Sequence, residues 1–224
     1  LNPDDVSTMI FAAGFGTRMG DLTQKTPKPL LPFKDRKLID FAMDHVTDFG
    51  PRKTVVNAHY LADQVIQHFA HHDVTVITEY PEVLETGGGL KAALPLLGTE
   101  TVITMNSDTL WVGPNPITIL ADAWKGSEMD ALLLCVPTTD AVGHKGNGDF
   151  SIDGNGQLAW NGNFTYTGVQ IINASVVKGF SENVFSLKRV WDMLIERGRA
   201  FGCVYPAQIY DIGTKDSYYA AQNL

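Results

Sequence analysis

Short apolar runs alternate with amphipathic stretches through the first half of the chain, and no other feature limits the fold as strongly. Ser7 to Ala13, Thr54 to Asn57, Val74 to Thr78, Thr101 to Met105 and Ala131 to Val136 each read as a strand. Between the first two, Leu38, Phe41, Ala42, Val46 and Phe49 recur at helical spacing, and Gly50-Pro51 ends that helix. Leu61, Val65 and Phe69 mark a second helix face, and Gly87 to Gly89 lead into a helix expected from Leu90. This is the βαβ rhythm of an α/β fold on a mostly parallel sheet. After His144 the rhythm changes. Asp149 to Ile152, Leu158 to Trp160 and Gly168 to Ile172 predict short strands between Asn/Gly turns. A helix over Leu187 to Arg197, a strand over Gly202 to Tyr205 and a last helix from near Thr214 follow. Without a repeat or a linker, the expectation is one domain over residues 1–224, made of a first half (1–143) and a second half (144–224) that completes its site.

Composition narrows the function classes. At 224 residues with 44% hydrophobic and 19% charged content, the chain can bury a large core. Its longest apolar run, Ala131 to Val136, is too short to span a bilayer, so no membrane partner is expected. Asp4 and Asp5 stand where a signal peptide carries basic residues. Cys135 and Cys203 have no neighbouring ligand residues, which argues against a zinc ribbon and for a reduced, cytoplasmic protein. A net charge of −8 argues against a nucleic-acid partner, since phosphate backbone calls for a basic face. Small phosphorylated substrates stay open, because a few local cations suffice for them. The sequence does not specify an oligomeric state.

The chemistry concentrates in Phe11-Ala12-Ala13-Gly14-Phe15-Gly16-Thr17-Arg18-Met19 and, after a short gap, Thr26-Pro27-Lys28-Pro29-Leu30-Leu31-Pro32. Small residues at a strand end let backbone N–H groups approach phosphate oxygens. Arg18 adds a forked set of donors and Lys28 a point charge. Gly14 and Gly16 alone would indicate only a tight turn. The dinucleotide pattern G-x-G-x-x-G fails because Gly20 falls one place late, and the P-loop pattern is absent. Asp108, just past an apolar strand, suits a hard cation shared with phosphate oxygens, and equally an ordinary strand-end turn. Asp211 reads either as a second such ligand or as the start of a helix cap.

Taken together, G-x-G-T-R-M and T-P-K-P-L-L-P at this spacing resemble the signature of the sugar-1-phosphate nucleotidylyltransferases. The resemblance extends to Leu84-Glu85-Thr86-Gly87-Gly88-Gly89, Asn106-Ser107-Asp108, Gly148-Asp149-Phe150 and Tyr210-Asp211-Ile212-Gly213-Thr214. It implies a Rossmann-like three-layer α/β/α sandwich with a mixed, mostly parallel sheet, a nucleotide-binding first half and a sugar-binding second half. By the same resemblance Ala12, Ala13, Gly14, Gly16 and Thr17 would line the nucleotide, and Thr86, Gly87 and Gly88 would approach its base. Arg18, Lys28 and Asp108 would be catalytic, Asp108 and Asp211 would hold Mg²⁺, and Asn106, Asp149 and Gly168 would face the sugar. The implied substrates are a nucleoside triphosphate and a sugar 1-phosphate.

Glu82, four residues before Thr86, either accepts a hydrogen bond from uracil or guanine or lies on a solvated loop. Both bases stay open on that residue. Within the family, L-E-T-G-G-G, N-x-D and G-D-F most resemble the N-acetylmuramate 1-phosphate uridylyltransferases of cell-wall sugar recycling. Mannose-1-phosphate guanylyltransferases are the alternative, and they more often carry G-T-A-G where Glu85 to Gly88 stand. Leu158 to Gly162 also lacks the E-K-P signature of many relatives. A glycosyltransferase or a silent nucleotide-sugar sensor are readings from other classes. His71-His72 read as a solvated turn, and Lys188 and Arg189 as sugar-phosphate ligands or plain surface charges.

Overall fold

The computed structural model describes residues 1–223. In chain order its strands are β1 (Val6–Phe11), β2 (Pro32–Phe33), β3 (Arg36–Lys37), β4 (Thr54–Ala58), β5 (Thr75–Thr78), β6 (Thr101–Asn106) and β7 (Thr109–Trp111). They continue as β8 (Ala131–Pro137), β9 (Ala141–Val142), β10 (Phe150–Ile152), β11 (Leu158–Trp160), β12 (Phe164–Asn173), β13 (Ala200–Val204) and β14 (Ile209–Asp211). The helices are α1 (Leu38–Phe49), α2 (Ala62–His68), α3 (Glu85–Leu97), α4 (Pro116–Ala123), α5 (Ala174–Lys178), α6 (Leu187–Glu196) and α7 (Lys215–Ala221).

β5, β4, β1 and β6 lie side by side and parallel. β12 then runs antiparallel between β6 and β8, and β13 closes the far edge parallel to β8. Successive strand residues point to opposite faces, and the burial follows that period of two. Ile103 and Met105 pack under α1, α2 and α4, through residues such as Ile39, Val46, Val65 and Leu120. Val102 turns the other way, towards Leu90, Leu94 and Leu97 of α3 and Val190 and Leu194 of α6. The result is a Rossmann-like three-layer α/β/α sandwich with a mixed, mostly parallel sheet, as expected from the sequence. A small sheet in the order β7, β14, β9 stands apart from it. Met19, Phe33, Leu38, Leu110, Ile212 and Tyr218 form a third, smaller core beside that sheet.

Several elements differ from the sequence reading. α3 begins at Glu85, so Gly87 to Gly89 lie inside its first turns and not ahead of it. Tertiary contact overrides glycine's poor helix propensity there, because the N–H groups of Gly87 and Gly88 both donate to the Phe185 carbonyl. The strand expected over Gly168 to Ile172 is the second half of the longer β12, whose register shifts between Tyr166 and Gln170. The proline-rich segment contains 3₁₀ turns over Thr17–Thr23 and Lys28–Leu30. α4 and α5 carried no clear sequence signal, being short. No helix among the described residues is long and apolar enough to cross a membrane.

Candidate active site

The site forms where the parallel strands end, the usual ligand-binding edge of open α/β sheets. Beyond β1 the chain turns across the sheet edge as Ala12 to Gly16. A side chain at Gly14 would meet nothing within 4 Å, so the space above this turn is open cleft. Gly16 adopts a left-handed φ of +64°, and a side chain there would press on the Lys28 and Thr23 side chains at 3.0 Å. The Thr23 hydroxyl donates to the Gly16 carbonyl at 3.1 Å. The glycine turn thus packs directly against the lysine segment.

Lys28 sits on its own short turn. Pro27 and Pro29 restrict the backbone on either side, and Leu30 and Leu31 are buried as anchors. The lysine stem is buried too, and its ammonium donates to Asp108 Oδ2 at 2.5 Å. Asp108 follows β6, where the Ser107 hydroxyl ties the turn to the Phe11 carbonyl at 2.8 Å. The pairing of Asp211 on β14 with Thr109 on β7 places Asp211 beside Asp108. The Ile212 N–H fixes that approach by donating to the Asp108 carbonyl at 2.9 Å. Burial, and then the charge of Asp108, push the Asp211 carboxyl above its ordinary range, while Lys28, Arg18 and His144 pull it down. Two crowded carboxylates with hard oxygen donors are a pair that a small divalent cation relieves. Among the described residues no cluster of three or more metal-ligating side chains occurs, but Mg²⁺ needs only one or two carboxylates beside phosphate oxygens.

Two hollows meet at Asp108. The larger, about 330 Å³, is lined by Ala12, Ala13, Gly14, Gly16, Thr17, Arg18, Lys28, Thr86, Asn106 and Asp108 among the residues singled out from sequence. The smaller, about 160 Å³, is bounded by Arg18, Asn106, Asp108, Gly168 and Asp211 together with His144 and Tyr166. Arg18, Asn106 and Asp108 face both. Gly168, at φ +88°, is pressed against the Asn106 side chain, where any larger residue would collide.

Four expected residues do not line either hollow. Glu82 is exposed, and the glutamates on the large cleft are Glu79 and Glu85. After β5 Glu79 is buried and Glu82 is exposed, outside the lining of both hollows. Gly87 and Gly88 face the segment before α6, where side chains would strike Phe185 and the Asn183 carbonyl. These two glycines serve helix-to-loop packing in the structure. Asp149 accepts from the Tyr166 N–H at 2.9 Å and ties the start of β10 to β12. Thr86 lines the large cleft, and its hydroxyl accepts from the Leu187 N–H at 3.0 Å at the start of α6.

Sequence reading missed Asn57, Glu79 and His144. Asn57 and Glu79 were findable, since each stands at the end of a strand of the parallel sheet. His144 gave no comparable signal. Lys188 lies over the Trp160 ring at 5.2 Å, and Arg189 pairs with Glu182 at 2.9 Å.

A family model described as the MobA-like NTP transferase domain matches residues 8–145, which hold the glycine turn, Lys28 and Asp108. Over 96% of its length the chain is 31% identical to the N-acetylmuramate alpha-1-phosphate uridylyltransferase of Caulobacter vibrioides, covering 94% of that protein. It is 29% identical to the enzyme of the same name from Neisseria meningitidis serogroup B, across 93% of the chain and 94% of the relative. The crystal structure of HddC from Yersinia pseudotuberculosis complexed with GMP-PN shares the fold at a TM-score of 0.77 and 22% identity, over 97% of this chain and 98% of that one. The chain belongs to the MobA-like NTP transferase domain family, a family of nucleotidyltransferases.

Proposed function

We propose that the chain transfers a uridylyl group from UTP to N-acetylmuramate 1-phosphate, with Mg²⁺ as cofactor, and releases pyrophosphate. The observation that carries this reading is the junction of the two hollows, where Arg18 and Asp108 face both, Lys28 lines the larger and pairs with Asp108, and Asp211 lines the smaller. The larger hollow takes the nucleotide and the smaller the sugar phosphate. The near full-length likeness to two uridylyltransferases supports the choice of base and sugar. Recycling of cell-wall sugars in the cytoplasm is the setting that such a substrate implies.

The reaction needs no enzyme nucleophile. A sugar-phosphate oxygen bonds to the α-phosphorus as the bond to the bridging oxygen breaks, and pyrophosphate leaves with that electron pair. Asp108 and Asp211 would hold the metal, which when bound neutralises phosphate charge and orients the two substrates. Lys28 would meet the charge that grows on the α-phosphate, and its buried stem holds the ammonium beside Asp108. Arg18, exposed at the junction, can fork its donors onto the departing pyrophosphate. Gly14 lets the triphosphate approach the backbone closely.

Pyrophosphate release measured with Mg²⁺ over UTP, GTP, dTTP and CTP, each against several sugar 1-phosphates, tests the reading. Strong turnover for UTP with N-acetylmuramate 1-phosphate is expected. Turnover concentrated in GTP with mannose 1-phosphate would keep the mechanism and overturn the substrates. No pyrophosphate in any combination would overturn the enzyme and favour a sensor.

A further inference from the structure

We propose that Glu79 is a positioning residue of the nucleotide cleft, the acceptor-only centre of a hydrogen-bond relay that holds the cleft's two walls together. The inference rests on the nucleotidyl-transfer reading for the identity of the ligand, but the relay itself is defined by contacts within the chain. The Ala12 N–H, on the glycine turn, donates to Asn57 Oδ1 at 2.8 Å. Asn57 Nδ2 donates to Glu79 Oε1 at 2.7 Å. The Leu84 N–H, at the start of α3, donates to Glu79 Oε2 at 2.7 Å. Asn57 and Glu79 are both about 3% exposed, and both line the large cleft.

The order of donors calls for one amide and one carboxylate, not two amides or two carboxylates. Both ends of the relay are backbone N–H groups, which can only donate. Between them stand one amide, which donates on one side and accepts on the other, and one carboxylate, which accepts on both. With an amide in place of the Glu79 carboxylate, an N–H of one residue must face an N–H of another whichever way Asn57 is turned. Each buried donor left facing a donor costs its full desolvation. Gly89 of α3 supports the same arrangement independently. A side chain there would come within 2.6 Å of Glu79 Oε1 and 3.0 Å of Asn57 Nδ2, so the helix is notched where the relay passes. The relay thus couples the turn at Ala12 to the segment Val83 to Thr86, both of which line the large cleft.

The rule predicts a rescue. Glu79→Gln breaks the relay through a donor–donor clash, and Asn57→Asp breaks it through an acceptor–acceptor clash. The double variant, Asn57→Asp with Glu79→Gln, restores it in reverse. The carboxylate now at position 57 accepts twice, and the amide now at position 79 donates to it while accepting from the Leu84 N–H. The net charge of the pair is unchanged.

The experiment compares wild type, both single variants and the double variant on three readouts: amide hydrogen exchange at Ala12 and Leu84, Tm, and UTP dissociation constant by calorimetry. Each single variant is expected to lose protection at both amides and to drop Tm by roughly 3–10 °C. Each should also weaken UTP binding about tenfold or more, with KM for the sugar phosphate held within about twofold. The double variant should recover most of each loss. A double variant no better than the singles overturns the relay, and that holds even if a single variant fails to fold. Single variants that lose Tm but bind UTP as wild type does would reduce Glu79 to a packing contact and overturn its positioning role. Wild-type protein that does not bind UTP sinks the uridylyl reading alone, because exchange and Tm need no nucleotide and still decide the relay.

Discussion

Lys28 and Glu79 are both buried charged side chains on one cleft, yet their chemistry is opposite. Glu79 has both oxygens engaged by protein donors, whereas Lys28 meets a single partner among the described residues, Asp108, and has donors left for a ligand. Replacing Lys28 by Ala should therefore cost turnover far more than fold. Loss of a preorganised donor at a developing charge typically costs about 10²–10³ in kcat. The expected outcome is a kcat lower by roughly that factor with an unaltered far-UV circular dichroism spectrum; near-wild-type turnover would refute the role. Lys28 was legible because its proline-flanked segment is a local pattern. Glu79 had only its place at a strand end to mark it, because its meaning lies in Asn57, a residue 22 positions away that reaches it only across paired strands. Glu82 stood out in the sequence for its distance to Thr86, whereas the structure buries Glu79 and leaves Glu82 exposed.

α3 shows what element-scale patterns hide. Three consecutive glycines predict a break, and the sequence reading started the helix after them. The helix instead includes them because each admits a neighbour: Phe185 at Gly87, the Asn183 carbonyl at Gly88 and the Glu79–Asn57 pair at Gly89. A Gly88→Ala change gains about 1 kcal/mol of helix propensity. Against that, its methyl meets backbone that cannot swing aside, and overpacking of this kind costs about 1–3 kcal/mol. The collision wins, and a Tm lower by a few degrees, roughly 2–6 °C by calorimetry, is expected. A second element-scale effect belongs to α1, where the His45 ring stands edge-on to Trp111 at 5.7 Å. Burial lowers the His45 pKa below 6.5, and Asp44 and Asp48 offset this in part. The unfolded chain then takes up a proton at 6.5 before the folded one does, so folding is fully supported above that pH and loses stability as pH falls below it. Relative to a His45→Gln variant, wild-type Tm should fall as pH drops from about 7 towards about 5, while above that range the difference between the two stays constant. Parallel curves across the whole range would show that His45 does not titrate on unfolding.

At the scale of the whole molecule, the change of pattern after His144 was visible in the sequence, but its consequence was not. Short antiparallel strands suggested a second half laid over the first. In the structure β12, from the second half, is inserted between β6 and β8 of the first, pairing with both along its length. The site inherits this interleaving: Asp108 follows β6, Gly168 lies in β12, and Asp211 comes from β14. Strand pairing across distant segments leaves no trace in local periodicity, so no window of sequence could have announced it. Its thermodynamic consequence is that neither half has a complete sheet. A fragment of residues 1–143 would leave β6 and β8 as two unpaired edges with the buried faces of Ile103 and Leu133 beside them. Such a fragment is expected to lack cooperative unfolding and to aggregate. The whole chain should unfold in one transition, with near-UV and far-UV circular dichroism giving coincident denaturant midpoints. Two separated midpoints, with the earlier one tracking the aromatic signal of Phe150, Trp160 and Trp191, would mean that the β10–β12 region melts alone and that the pairing of β12 with β6 does not bind the halves together.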